Sequence, residues 1–276
     1  MTSSPPTATP AEFDLATHAL REAMQLALEY RDRGVEAEEK EGGSPVTEAD
    51  RAIDRLLFAS LIGSGDDGGS KATAYGWLSE ESADSDERLS RERVWVVDPI
   101  DGTRAFLAGR DDYSVSIGLL VAGQPVLGAI GCPARNVTVV GGVGRGVELT
   151  GDPALRWPER VLGGRPLPHL LASRSEMKRG VWRELDGRAT VQPVGSVAYK
   201  LALVAAGCAD GTWTKFPKHE WDVAAGAALV NAAGGETWLP RGGHMRWNRS
   251  RPRFLSFAAA GSGLRERVEA LVPADR

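Results

Sequence analysis

Two carboxylates three positions apart, Asp98 and Asp101, stand in the run VDPIDGT at residues 97–103, directly after the apolar stretch RVWVV. Pro99 fixes the backbone between them, so both side chains reach one site. Buried carboxylates that close repel each other, and neither stays ionised cheaply unless a cation or several donors compensate. With oxygen ligands only and no His or Cys close by in the sequence, a hard divalent cation fits, magnesium or manganese rather than zinc. Gly102 and Thr103 then open a predicted short helix, TRAFLAG, whose free N–H groups and positive dipole end suit a phosphate beside the metal. An Asp-Pro turn with no other role is the competing reading of the isolated pattern. A calcium loop is excluded, because its twelfth position calls for Glu and holds Gly109.

Further acidic residues decide between these readings. Glu80 and Glu81 lie in SEES at residues 79–82, Asp50 in PVTEAD at 45–50, and Asp222 in EWDVAAG at 220–226. Each alone has an ordinary explanation: Glu81 as a solvated charge, Asp50 as a helix cap, Asp222 as a complement to a helix dipole. Taken with VDPIDGT they read differently, as members of one carboxylate cluster. There is no G-x-S-x-G elbow, and His18, His169, His219 and His244 lack partners at useful spacing, so a side-chain nucleophile is not on offer. His219, beside Glu220, is open to contact with the substrate, with a surface residue the preferred reading. GSGDDG at 63–68 matches G-x-G-x-x-G but follows a helix, starts none, and carries Asp66 and Asp67, which would repel a pyrophosphate.

The elements that must place these groups show as periodicity. From 11 to 33, Phe13, Ala16, Leu20, Met24 and Ala27 recur at helical spacing, and Gly34 stops the helix. Thr47 with Asp50 makes a capping-box pattern at the start of a second helix. Residues 63–71 read as a loop, 93–97 as a buried strand ending at Asp98, and 113–121 with 125–130 as an antiparallel hairpin. A further strand is predicted at 137–140. Gly- and Pro-rich sequence after Gly141 reads as a linker between halves. Beyond it, HLLAS, TVQPV, GETWL and FLSFAAA are predicted strands, and 196–206, 221–233 and 264–271 predicted helices. The expected organisation is a disordered tail at 1–10, an α+β metal-binding half at 11–143, and an α/β half at 144–276 that completes the site.

Composition narrows the partners. A chain of 276 residues, 42% hydrophobic with a formal charge of −4, has no basic field for polymeric nucleic acid, so a small phosphorylated ligand is expected. Cys132 and Cys208 form no C-x-x-C pair, which argues against a zinc site or disulfide framework. No apolar run approaches a membrane span and no signal-peptide pattern opens the chain, so a cytoplasmic location is expected.

In the order PVTEAD, SEES, WVVDPIDGT, YSVSIGLL and EWDVAAGAALVNAAGG, the chain resembles the inositol monophosphatase superfamily. These are metal-dependent, often lithium-sensitive phosphatases that include inositol monophosphatases, 3'(2'),5'-bisphosphate nucleotidases and fructose-1,6-bisphosphatases. The resemblance implies a layered α/β/α/β/α sandwich and a magnesium-dependent phosphomonoesterase with two or three ions per site, manganese being an alternative. It implies that Glu80, Asp98 and the carbonyl of Ile100 bind one ion, and that Asp98, Asp101 and Asp222 bind a second. A third would sit near Glu80 and a water. Asp50 and Thr103 would orient and deprotonate the attacking water, and the N–H groups of Gly102 and Thr103 would bind the phosphate. Arg174, Ser196, Lys200 and Glu220 fall where relatives contact substrate. EWDVAAG and RWNRSRP at 246–252 look most like the bacterial bisphosphate nucleotidase branch, which implies hydrolysis of adenosine 3',5'-bisphosphate to AMP and phosphate. Lys200, Lys215, Lys218, Arg246, Arg249 and Arg251 are then candidate partners for the second phosphate. An inositol or sugar phosphatase of the same superfamily and a non-catalytic metal-binding protein that keeps the fold are the alternatives. Related enzymes are commonly homodimers.

Overall fold

Helix α1 (Pro10–Arg33) begins where Thr9 and Glu12 close a capping box and Pro10 takes the first helical position, and it stops at Gly34, whose φ is 74°. In the computed structural model, which describes residues 5–34, 36–39, 45–63, 74–152 and 167–272, the chain then runs through β1 (Ala37–Glu39), β2 (Pro45–Thr47), α2 (Glu48–Ile62), β3 (Tyr75–Ser79), β4 (Arg93–Asp101) and α3 (Thr103–Leu107). Next come β5 (Ser114–Val121), β6 (Gln124–Cys132), β7 (Val137–Gly142), β8 (Gly146–Thr150), β9 (His169–Ser173), α4 (Arg174–Lys178), β10 (Thr190–Val194) and α5 (Val197–Ala205). The last elements are β11 (Gly211–Thr214), β12 (Lys218–His219), α6 (Glu220–Ala232), β13 (Glu236–Trp238), β14 (Arg253–Phe254), β15 (Phe257–Ala260) and α7 (Arg265–Glu269).

Every residue of β5 is buried, which follows from a sheet covered on both faces. The pleat sends alternate side chains to opposite layers. Trp95, Val97, Val115, Ile117 and Leu119 join Phe13, Leu20, Ile53 and Leu57 of α1 and α2 in one core. Val94, Val96 and Leu120 join Tyr199, Leu203, Val223 and Leu229 of α5 and α6 in another. This sheet has the order β3-β4-β5-β6-β7-β8, with β3 and β4 parallel and the rest antiparallel. A second sheet, β10-β9-β11-β15-β13, lies beyond α5 and α6, and its outer face packs Leu170, Trp213 and Ala258 against Trp182, Val268 and Leu271. The result is the five-layered α/β/α/β/α sandwich that the family resemblance implied.

Several expectations need correction. Thr9 and Pro10, assigned to a tail, cap and start α1. Strand β4 does not end at Asp98 but continues to Asp101 through a register shift against β5, so both aspartates are strand residues. The supposed linker after Gly141 is instead a hairpin: Gly144 and Gly146 turn at positive φ, and β8 pairs with β7 as the sixth strand of the first sheet. The boundary at 143/144 therefore cuts that sheet, which extends to Thr150. FLSFAAA is two strands, because Leu255 breaks out to 61% exposure between β14, which pairs with β12, and β15 in the second sheet. Strand β11 and helix α4 were not foreseen. Residues 64–71 of the expected loop and 153–166 of the expected linker lie outside the described residues.

Helix α6 sits between the two sheets, and its small residues let the backbones approach closely. A Cβ added at Gly118 would lie 2.9 Å from the Ala225 nitrogen, and one at Gly128 would overlap the Ala225 carbonyl. Gly128→Ala is therefore expected to lower stability by roughly 2–3 kcal/mol in urea unfolding, because the clash is with rigid backbone. A change under about 0.5 kcal/mol would show that α6 shifts freely on the sheet.

Candidate active site

Four segments bring carboxylates to one place. Strand β4 supplies Asp98 and Asp101, the turn after β3 supplies Glu80, α6 supplies Asp222 in its first turn, and α2 supplies Asp50 in its own. Carboxylate oxygens of Glu80, Asp98 and Asp222 all lie within 4.8 Å of one another. Asp98 is 1% exposed, and its Oδ1 has no hydrogen-bond partner among the described residues. Burial and the charges of Glu80, Asp101, Asp222 and Asp50 hold its carboxyl well above the usual range. Burial also pushes Asp222 up to about 7, although Lys218 opposes the rise.

Asp101 differs from the trio. Its carboxyl is raised mainly by burial, but Oδ2 accepts hydrogen bonds from Ser196 Oγ at 2.7 Å and the Ala198 N–H at 2.5 Å, which pull in the other direction. It thus caps the N-terminus of α5 from the neighbouring layer. Asp222 accepts from the His219 N–H at 2.9 Å, and Asp50 from the Thr47 N–H at 2.8 Å and hydroxyl at 2.6 Å. The capping reading of Asp50 therefore holds together with a second contact, since its other oxygen faces the Thr103 hydroxyl at 3.5 Å. That hydroxyl is closer to the Ile100 carbonyl, at 3.1 Å.

A cavity of about 620 Å³ opens over this cluster, lined by Glu80, Asp98, Ile100, Asp101, Gly102, Thr103 and Asp222, and also by Arg174, His219 and Trp221. Of the expected substrate contacts, Gly102, Thr103 and Arg174 line it. Ser196, Lys200 and Glu220 do not, and each has a structural reason. Ser196 is fully buried, with its hydroxyl donating to Asp101 and accepting from the Tyr199 N–H as the cap of α5. Lys200 is 1% exposed within α5, and burial pulls its ammonium down to about 8. Glu220 is buried under the turn after Trp247, accepting from the N–H groups of Asn248 at 2.8 Å and Arg249 at 3.3 Å. Among the basic residues offered for a second phosphate, Lys218 lines the cavity, and Lys215, Arg246, Arg249 and Arg251 do not.

The sequence reading missed three features of the site. Arg104, Arg110 and Lys178 join Arg174 and Lys218 in the lining. His219, read as a surface residue, lines the cavity with its ring 4.3 Å from that of Trp221. Asp112 is 3% exposed and gathers Arg174 Nε and Nη2, at 2.9 and 2.6 Å, and the Gly195 N–H at 2.7 Å onto one oxygen. The signal for Arg104 and Arg110 was their adjacency to the DGT turn. Nothing in the local sequence pointed to Lys178 or Asp112.

The family model described as the inositol monophosphatase family matches residues 9–262. An inositol-1-monophosphatase of Mesorhizobium japonicum is 34% identical over 229 residues, covering 79% of this chain and 80% of that protein. Nus factor SuhB of Pseudomonas aeruginosa is 31% identical over 240 residues, covering 81% and 83%. The crystal structure of CysQ from Bacteroides thetaiotaomicron, described as a bacterial member of the inositol monophosphatase family, superposes with a TM-score of 0.71 at 25% identity, covering 91% of this chain and 97% of that one.

The raised carboxyls make metal-free stability depend on pH with a definite sign. Between its ordinary value of 3.8 and about 7, Asp222 binds more proton in the folded than in the unfolded state, so its contribution is present below pH 4 and lost as pH rises through 7. In a chelator, Asp222→Asn should therefore match the wild-type melting temperature near pH 4 and exceed it at pH 8. Added magnesium should stabilise the wild type most at the alkaline end. A wild-type melting temperature at or above that of the variant at pH 8 in chelator would refute this.

Proposed function

The chain belongs to the inositol monophosphatase family and is a metal-dependent phosphatase of small phosphate monoesters; within that family we propose that it acts on a nucleoside 3',5'-bisphosphate. The observation that carries this reading is the cavity lining. Beside the carboxylates stand Arg104, Arg110, Arg174, Lys178 and Lys218, together with the paired rings of His219 and Trp221. Beyond Asp112, which pairs with Arg174, and the carboxylates that Lys218 acts on, this basic lining has room for an anion brought by the substrate. A second phosphate on the same molecule supplies one, through charge-assisted hydrogen bonds, and the aromatic pair offers a flat face to a base.

The donor set fits magnesium: oxygen ligands only, a buried Asp98 oxygen with no partner, and three carboxylates converging within 4.8 Å. In the proposed assignment Glu80, Asp98 and the Ile100 carbonyl hold one ion, and Asp98, Asp101 and Asp222 hold a second. Bound there, magnesium would supply positive charge to the phosphate oxygens and lower the pKa of a water that it holds. The chain's own residues then do the positioning. Thr103 turns its hydroxyl from Ile100 toward Asp50, which leaves its lone pairs to accept a proton from a water in the cavity. Asp50 receives the Thr103 proton on the oxygen that does not cap α2. Gly102, in the left-handed region at φ 93°, brings backbone rather than a side chain to the phosphate. Arg174, braced by Asp112, faces the substrate from the cavity lining, and Lys218 stands near Asp101 and Asp222.

A second reading, inositol 1-phosphate, is favoured by the name of the Mesorhizobium relative. Its hydroxyls call for neutral hydrogen-bonding partners more than for cations. Initial rates with magnesium separate the two, and kcat/KM for adenosine 3',5'-bisphosphate is expected to exceed that for inositol 1-phosphate. Lys178→Ala should raise KM for the bisphosphate while leaving that for a monophosphate within about twofold. Asp98→Asn should reduce kcat by at least roughly a hundredfold on either substrate, as loss of transition-state charge stabilisation commonly does. Better turnover of inositol 1-phosphate would overturn the substrate, and full activity of Asp98→Asn the mechanism.

A further inference from the structure

Helix α2 carries two buried aspartates one turn apart, and the mechanism uses only the first. Asp54 is 7% exposed, and both its oxygens accept hydrogen bonds from the turn that holds Glu80. Ser79 Oγ donates to Oδ1 at 2.5 Å, and Ser82 Oγ donates to Oδ2. The two serines bracket Glu80 and Glu81, so one carboxylate grips the S-E-E-S turn at both ends. Each hydroxyl is fixed from its other side as well: Ser79 Oγ accepts from the Glu81 N–H at 3.3 Å, and Ser82 Oγ accepts from Trp77 Nε1 at 3.3 Å.

The grip matters because of what Glu80 faces. Its carboxylate lies within 4.8 Å of those of Asp98 and Asp222, and its charge is the largest electrostatic contribution to the raised Asp98 carboxyl. Before a cation binds, that repulsion drives Glu80 outward, and a turn held only by backbone would follow it. We propose that Asp54 is a positioning residue of the metal site, clamping the Ser79–Ser82 turn so that Glu80 stays aimed at Asp98 and Asp222 before the cation arrives. With both oxygens spent on serine hydroxyls, Asp54 stands behind the site as a brace for a ligand. The two aspartates of α2 thus divide the work, Asp50 facing Thr103 and Asp54 holding Glu80.

The proposal rests on the reading of Glu80 as a metal ligand, and manganese binding followed by electron paramagnetic resonance tests both without substrate. Chelator-stripped wild type should bind manganese. Asp54→Asn, which turns one acceptor into a donor and releases one serine, should bind it about tenfold more weakly, the scale typical of lost outer partners of metal ligands. Its magnesium activation constant should rise in parallel, while KM at saturating magnesium stays within about twofold. Ser82→Ala, which removes one hydroxyl and leaves the carboxylate, should shift both constants in the same direction by less, and it carries the test if Asp54→Asn does not fold. Unchanged manganese affinity in folded variants, with only a lower melting temperature, would overturn the clamp while leaving the Glu80 reading intact. Failure of the wild type to bind manganese would overturn both.

Discussion

The mutual repulsion of buried carboxylates governs this molecule. Asp98 takes the full force of it, with a buried oxygen that no donor reaches among the described residues, and with burial and charged neighbours that hold its carboxyl well above the usual range. The other aspartates of the cluster share the burden with helix ends. Asp50 caps α2, Asp222 caps α6, and Asp101 caps α5, each through one oxygen. Unsatisfied N–H groups at a helix start carry partial positive charge, so each cap lowers the cost of holding an anion there and fixes the direction of the second oxygen. The carboxylates are thus oriented by the same bonds that start the helices.

That arrangement explains the demand on packing. A cap aims an oxygen only as well as its helix is placed, and α6 is placed by contact between backbones. Alanines and Gly226 on the helix meet Gly118 and Gly128 on the sheet and Leu201 on α5 with no room for an added carbon. Larger residues would bury more apolar area but would move Asp222 outward by the thickness of a side chain. The composition of α6 therefore belongs to the metal site as much as to the core.

The sequence carried the carboxylate end of the site better than the far end, for a physical reason. Acidic residues that share a site sit here in short, dense runs, and of those read from such runs Glu80, Asp98 and Asp222 converge within 4.8 Å. Helices α1 and α2 and the β5–β6 hairpin were legible from caps, periodicity and turn residues, and the structure agrees with each. In the second half β9, β10 and β13 were legible too, whereas β11 and β12 were not, because they pair with strands far along the chain. Ser196, Lys200 and Glu220 were expected at the substrate because they fall where relatives contact it, yet along a helix start successive side chains rotate to different faces. Ser196 and Glu220 turned inward to hold Asp101 and the Asn248 turn.

The charge of the whole chain was an equally poor guide to the pocket. A net charge of −4 belongs to the whole chain, whereas the cavity lining mixes both signs: carboxylates together with Arg104, Arg110, Arg174, Lys178 and Lys218, the last near enough to Asp101 and Asp222 to oppose the rise of their carboxyls. On the proposed reading, a cation at the carboxylates would add a positive end to a lining that is already basic, so a substrate with two phosphates would meet both and one with a single phosphate only one of them. The mixed lining would then favour ligands whose own charges are divided.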